Sequence, residues 1–396
     1  IEERDWSSDV CSSDLFIVPA FNSQMTSLSQ STDERGDPNQ QQQCSDTGGQ
    51  DEFELALKFE KGDGVEQDLF EAAEHLQIAV SFSHSGAMVK LGKAYWSGCG
   101  VMRNTDKAIE LFIEAASMGD ADGFVELGHC HANGFGVEAN PKEAMRLFTQ
   151  AATQGNAEAM FRLGNMLFFG LNVEMDKNEG IKWWTQSSEH GNVAAMKRLC
   201  DCYENGDGVT KDAVKAVNLL KMATDKGDEE SMMRLARHYE DGGGVYINLD
   251  IAHELYKKAF TCQRTKTCDD CVSSCDKKDR DVMAYETWER LGKKGHVGSL
   301  NALGVCYLTG QGVEQDKKKA FELFEKAMKR GDVDALFNAG KCYESGEGVT
   351  QDKAKAFDCF LKAAKCSHVD AMNSVGDCYG KEQGVAQDLA KAFEWY

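Results

Sequence analysis

The chain has 396 residues, 44 Lys and Arg against 65 Asp and Glu, and a formal net charge of -21. That balance argues against a nucleic-acid backbone as partner, because phosphate binding needs a basic surface, and it favours solubility and basic partners. No run of about 18 apolar residues occurs, so no membrane-spanning helix is expected.

The first part of the chain stands apart from the rest. One back-translation of Asp5 to Leu15 resembles a common sequencing-library adapter, so residues 1–15 are read as translated adapter and set aside. Residues 16–51 are rich in Ser, Gln, Asp and Gly. They carry too little apolar surface to offset ordering entropy and are expected to be disordered. Ile1 opens the sequence and Tyr396 falls inside a repeat, so both ends are expected to be truncations.

From residue 52 a phrase recurs: Gly-x-Gly-Val, with closing valines at 65, 101, 137, 173, 209 and 245, each 36 residues after the last, and again at 313, 349 and 385. Two copies are weaker, Gly170-Leu-Asn-Val173 and Glu382-Gln-Gly-Val385. A fixed period of this size marks a repeat architecture. Aligned on the valine, columns emerge. Ten residues before it the residue is usually apolar (Leu55, Leu91, Leu127, Leu163), and six before it usually aromatic (Phe59, Tyr95, Tyr203, Tyr307). Three after it is always Asp or Asn, seven after it Ala except at Gly180, and eleven after it a large residue such as Phe112, Trp184 or Phe360. Those spacings lie on helical stripes. Each unit therefore reads as helix A, a glycine turn, and helix B. Glycine supplies the left-handed cap of A, and Asp or Asn caps B, as in Asn140-Pro-Lys-Glu143. The phosphate-cradle reading of a glycine loop is set aside, because the phrase recurs throughout and an acidic or amide cap follows each copy.

Leu-Gly-x-x-Tyr, Gly-x-Gly-Val, then Asp, Lys-Ala and Ala-Ala resemble the Sel-1-like repeat family, a relative of the tetratricopeptide repeat. The resemblance implies an all-α fold, a right-handed α/α superhelical solenoid of about ten 36-residue helix-turn-helix repeats. Residues 52–260 would hold repeats 1–6 and residues 282–396 the remainder. It implies a non-catalytic protein–protein interaction scaffold or adaptor. The other settings it suggests are a luminal adaptor of endoplasmic-reticulum-associated degradation and a secreted hydrolase or ligand-binding relative. The sequence has no Asn-x-Ser/Thr site, no regular pair of cysteines per unit, and none of the Gly-x-Ser-x-Gly, HExxH or GxxxxGK[ST] motifs. The cysteine usage favours a cytoplasmic location.

One interval breaks the stride. Between Val245 and Val313 the columns return early, at Ala284 and Trp288, so residues 261–281 are read as a loop replacing one helix A. It contains Cys262, Cys268, Cys271 and Cys275, four thiols that could close a tetrahedral zinc site; local disulfides or free thiols are the alternatives. Beyond that possible structural zinc no cofactor is expected. The position five before the valine is expected to face outward. It is Glu in several units but Trp96, Phe168 and Leu308 in three, with Phe169 beside Phe168. In relatives helix A lines the concave surface, so these four residues are the candidate partner-binding patch for a protein or peptide, the alternative being inter-repeat packing.

Overall fold

The computed structural model describes residues 38–262 and 274–396, and every regular element there is an α-helix. In chain order α1 (Pro38–Lys61) pairs with α2 (Leu69–Ser81), α3 (Ser85–Ser97) with α4 (Thr105–Ser117), and α5 (Ala121–Asn133) with α6 (Pro141–Thr153). Then α7 (Ala157–Phe169) pairs with α8 (Lys177–Glu189), α9 (Val193–Asn205) with α10 (Ala213–Asp225), and α11 (Glu229–Asp241) with α12 (Leu249–Cys262). A single helix, α13 (Ser274–Lys293), follows. The last pairs are α14 (Val297–Thr309) with α15 (Lys317–Met328), α16 (Val333–Ser345) with α17 (Lys353–Lys365), and α18 (Val369–Lys381) with α19 (Leu389–Trp395). The molecule is an all-α repeat solenoid. Helix α1 begins inside the segment expected to be disordered. Gly48 and Gly49 on it lie against Phe82 at the end of α2, and composition alone does not register that tertiary contact.

The turn grammar follows from backbone chemistry. Helix A stops on a left-handed residue whose N–H still donates to the helix, as Gly134 does to the Cys130 carbonyl at 2.9 Å. The cap of helix B then accepts from the third helical N–H, as Asn140 does from Glu143 at 3.1 Å. Its own N–H reaches back to the aromatic column, as Asp212 does to the Tyr203 carbonyl at 2.9 Å, which closes the loop on itself. The two weak copies keep the geometry without the glycine: Asn172 and Glu382 both sit at φ 57.

Two close approaches build the core. The large residue of helix B lies over the Gly of Leu-Gly in its own unit, so Phe112, Phe148, Phe324 and Phe360 are all 2 % exposed or less. The second Gly of Gly-x-Gly packs on the preceding unit instead. A methyl group on Gly348 would overlap the Lys317 carbonyl, and one on Gly384 the Lys353 carbonyl. Gly312 meets the Asp281 carbonyl in the same way, so α13 presents a helix-B start at the register of a regular unit.

What α13 lacks is its own helix A, and this changes the layering. Lys294 and Arg290 join the C-terminal end of α13 to Asp241 and Glu240 at the C-terminal end of α11, so these helices run parallel. His296 joins the N-terminal end of α14 to Asp250 at that of α12, so these too run parallel. Helices alternate in direction along the chain, and one is missing. The A helices after the break therefore run opposite to those before it, and continue the layer that α12 occupied.

Candidate partner-binding surface

The column five before the valine does not face outward. All nine occupants are buried or half-buried. Its glutamates tie one unit to the next: Glu60 accepts from Lys90 at 2.7 Å and Glu204 from Arg234 at 2.9 Å. Glu240 would meet its counterpart on the missing helix. Its side chain, 2 % exposed, is held instead by Arg290 at 2.8 Å and Lys294 at 2.9 Å. Burial pushes this carboxyl up, but the hydrogen bonds from Arg290 and Lys294 outweigh it and leave it below the usual carboxylate range.

The four apolar residues have different fates. Phe168 is only 4 % exposed, with its ring 4.6 Å from that of Trp184, so it belongs to the core. Room for it comes from Gly180, where a Cβ would stand 2.9 Å from that of Phe168. The one glycine in the alanine column was the sequence signal for this inward turn. Phe169 is 48 % exposed, with the Arg198 guanidinium 5.6 Å from its ring. Leu308 packs half-buried on α14, in the other layer, against the core around Trp288 and Phe324. Trp96 is half-buried on α3, 5.5 Å from the ring of Phe135. These residues do not form one continuous patch.

Trp96 does line a recess of about 310 Å³ with Phe135, Phe112, Glu126 and His129, flanked by Lys93 and Arg162. Phe135 occupies the middle of a Gly-x-Gly, where Asp207 and Glu347 stand in other units, and it is 48 % exposed. Glu126 accepts from Lys93 at 2.9 Å and lies 3.7 Å from His129. Burial raises its pKa, and the His129 and Lys93 contacts more than reverse that. The His129 ring packs edge-on to Phe148 at 5.5 Å, and its Nε2 is buried with no partner among the described residues. From the sequence Phe135 was not singled out, and His129 reads only as a surface histidine on helix A. The signal for the first was a bulky aromatic residue in a column that is polar in most units; nothing in the sequence marked the role of the second.

Three histidines at the inter-unit turns are helix caps. His84, His296 and His368 cap helices A by accepting backbone N–H groups through Nδ1, where other units use Asp or Asn. The cysteine column is buried. Burial pushes the thiols of Cys130, Cys202, Cys306, Cys342 and Cys378 up to about 11, so they stay protonated at neutral pH and are inert packing groups. Of the four expected zinc ligands, Cys262 ends α12 and Cys275 lies in the first turn of α13, while Cys268 and Cys271 fall outside the described residues. Among the described residues no group of three or more His, Cys, Asp or Glu could hold a metal ion, so nothing there supports zinc. No helix among them is long and apolar enough to cross a membrane.

Comparison with known proteins gives the following. The family model described as Sel1 repeat matches residues 52–81, 85–120, 125–156, 157–192, 193–228, 229–262, 298–332, 333–368 and 369–396, and passes over the interval that holds α13. Among solved structures, a Sel1 repeat protein from Oxalobacter formigenes is 26% identical with a TM-score of 0.50, covering 54% of this chain and 87% of its own. A protective antigen of uropathogenic Escherichia coli strains with an SLR fold is 23% identical with a TM-score of 0.46, covering 91% and 86%. An immunity protein from Pseudomonas aeruginosa is 20% identical with a TM-score of 0.43, covering 55% and 83%. No curated protein sequence matches the chain.

Proposed function

The chain belongs to the Sel1 repeat family, and from that premise we propose that it is a non-catalytic interaction scaffold. A partner peptide lies across the A helices of units two to four and places one apolar side chain against the packed rings of Trp96 and Phe135. The observation that carries this reading is the recess of about 310 Å³ at that point, lined by this aromatic pair with charged groups beside it. An apolar floor with a few polar groups around it is how binding clefts fix both affinity and orientation. Aromatic residues in such positions supply most of the binding energy of protein interfaces. Phe169, Leu171 and Met175 expose further apolar surface at the edge of unit four and extend the contact.

The test is affinity capture with quantitative mass spectrometry, comparing wild type with the Trp96→Ala/Phe135→Ala double variant. Phe70→Ala serves as control, since Phe70 is 71 % exposed on α2, away from the recess. At least one partner should fall roughly tenfold or more in the double variant and be retained by the control. Retention of every partner by a double variant that melts like wild type sinks the reading.

A further inference from the structure

A groove lies where the layers are exchanged. It runs between α12 and α14, with α13 as its floor, and encloses about 530 Å³. Trp288, 7 % exposed, and Ala284 form the apolar base, with Ala302 and Val305 on the α14 side. Five carboxylates line it: Asp250, Glu254, Asp281, Asp332 and Asp334. The one lysine among the lining residues is Lys257, which already lies 4.0 Å from Glu254. Among the described residues Asp250 and Asp334 are paired only with histidines, His296 at 3.1 Å and His368 at 3.4 Å. Asp332 makes no ion pair among the described residues. Burial raises its pKa, and the Asp334 charge adds to the rise. Its backbone bond to Ala335, at 2.6 Å, does not offset this.

A second observation is independent of the carboxylates. His253 lines the groove and is only 8 % exposed. Its Nδ1 lies 2.9 Å from the Ser299 hydroxyl, and Nε2 has no hydrogen-bond partner among the described residues. His296 Nδ1 already accepts the Ser299 N–H at 3.0 Å as a helix cap. The Ser299 hydroxyl lies between two imidazoles, 2.9 Å from His253 Nδ1 and 2.8 Å from His296 Nδ1, so it bonds both rings. The other nitrogen of His253, without a partner among the described residues, therefore sits in a groove walled by anions.

We propose that this groove takes a lysine- or arginine-rich extended segment of a partner protein. Its cationic side chains donate to Asp332, Asp334 and Asp250, and one of its main-chain amide groups pairs with His253 Nε2. Charge complementarity sets the occupant: a groove with five carboxylates and one lysine in a chain of net charge -21 rejects acidic segments and steers basic ones. The apolar floor favours the aliphatic stems of long cationic side chains, which bury their methylenes while keeping the charge at the rim. The site lies in a different layer from Trp96 and stands or falls independently of that recess.

The probe is a fluorescein-labelled oligo-arginine peptide, titrated by anisotropy against the full chain at physiological salt. Asp332→Asn/Asp334→Asn removes two charges while keeping an N-cap side chain at position 332. Glu229→Gln/Glu230→Gln removes the same charge from α11. The groove variant should bind roughly tenfold more weakly and the α11 variant within about twofold of wild type. Equal loss in both variants, or loss in neither, overturns the proposal, because the attraction then belongs to the acidic chain as a whole. Spermine, which has cations but no main-chain amide group, should displace the probe far less well than unlabelled peptide. Equal displacement overturns the assignment of a peptide.

Discussion

The seam between α15 and α16–α17 and the seam between α12 and α14 solve one problem in two ways. In the regular seam the contacts come from recurring columns: Gly348 lies on the Lys317 carbonyl, and Lys317 reaches Glu347 at 2.7 Å. At the break the partner column is absent, and other residues take over. Arg290 and Lys294 hold Glu240 in place of a helix-A cation, and His253 and Phe260 pack on Trp288 where Leu-Gly would have been. The lesson is that a regular seam is backbone-tight and tolerates little, while the broken seam is joined by side chains and leaves grooves on both faces. One lies between α12 and α14. The other, about 950 Å³, lies between α11 and α13.

The largest expected effect tests backbone tightness. Gly348→Ala should cost about 3 kcal/mol or more, since a Cβ overlaps a main-chain carbonyl that cannot swing away. Gly64→Ala, at the same motif position but with nothing within 4 Å, should cost only about 1 kcal/mol for its positive φ. Urea unfolding of both variants isolates the inter-unit term; equal losses would mean the seam is not tight. At the break, Arg290→Met should cost about 2 kcal/mol, because it strips the first partner from a buried carboxylate while Lys294 remains. A change near zero in the same measurement would show that Lys294 suffices.

Histidine gives the break its own pH signature. Burial, reinforced by the nearby His296, lowers the His253 pKa to about 4 from 6.5. The unfolded chain then binds this proton more readily than the folded one. Stability is full above about pH 6.5 and falls as the pH drops toward about 4, by about 2 kcal/mol after allowance for solvent screening. His253→Asn should flatten that part of the profile, and an unchanged profile would assign the loss to other groups. The smallest effect belongs to the last unit: Glu382→Gly should stabilise by about 0.5 kcal/mol, by placing at φ 57 the residue that accepts it. A lower melting temperature would contradict this.

Much of the fold was legible because its elements are set by short-range chemistry. The caps at Asn140 and Asp212, the turns at Gly134 and Gly346, and the apolar stripes depend on neighbours within one unit, and the period repeats the message. The candidate site was legible only in part. Trp96 stood out and lines a recess, but Phe168 stood out equally and is core, since the inward or outward turn of that column depends on Gly180 in the facing helix. Phe135 and His129 were missed because their roles arise across units.

The sequence by itself determined the unit, its helices and its turns, because capping, glycine geometry and periodicity act over a few residues. It also located the break, through the early return of Ala284 and Trp288. Only the tertiary structure decided what the break does. Antiparallel helices alternate in direction, so losing one helix exchanges the layers of everything that follows. That consequence is carried by contacts such as Arg290 with Glu240 and His296 with Asp250, between residues 50 and 46 positions apart, which no local pattern encodes.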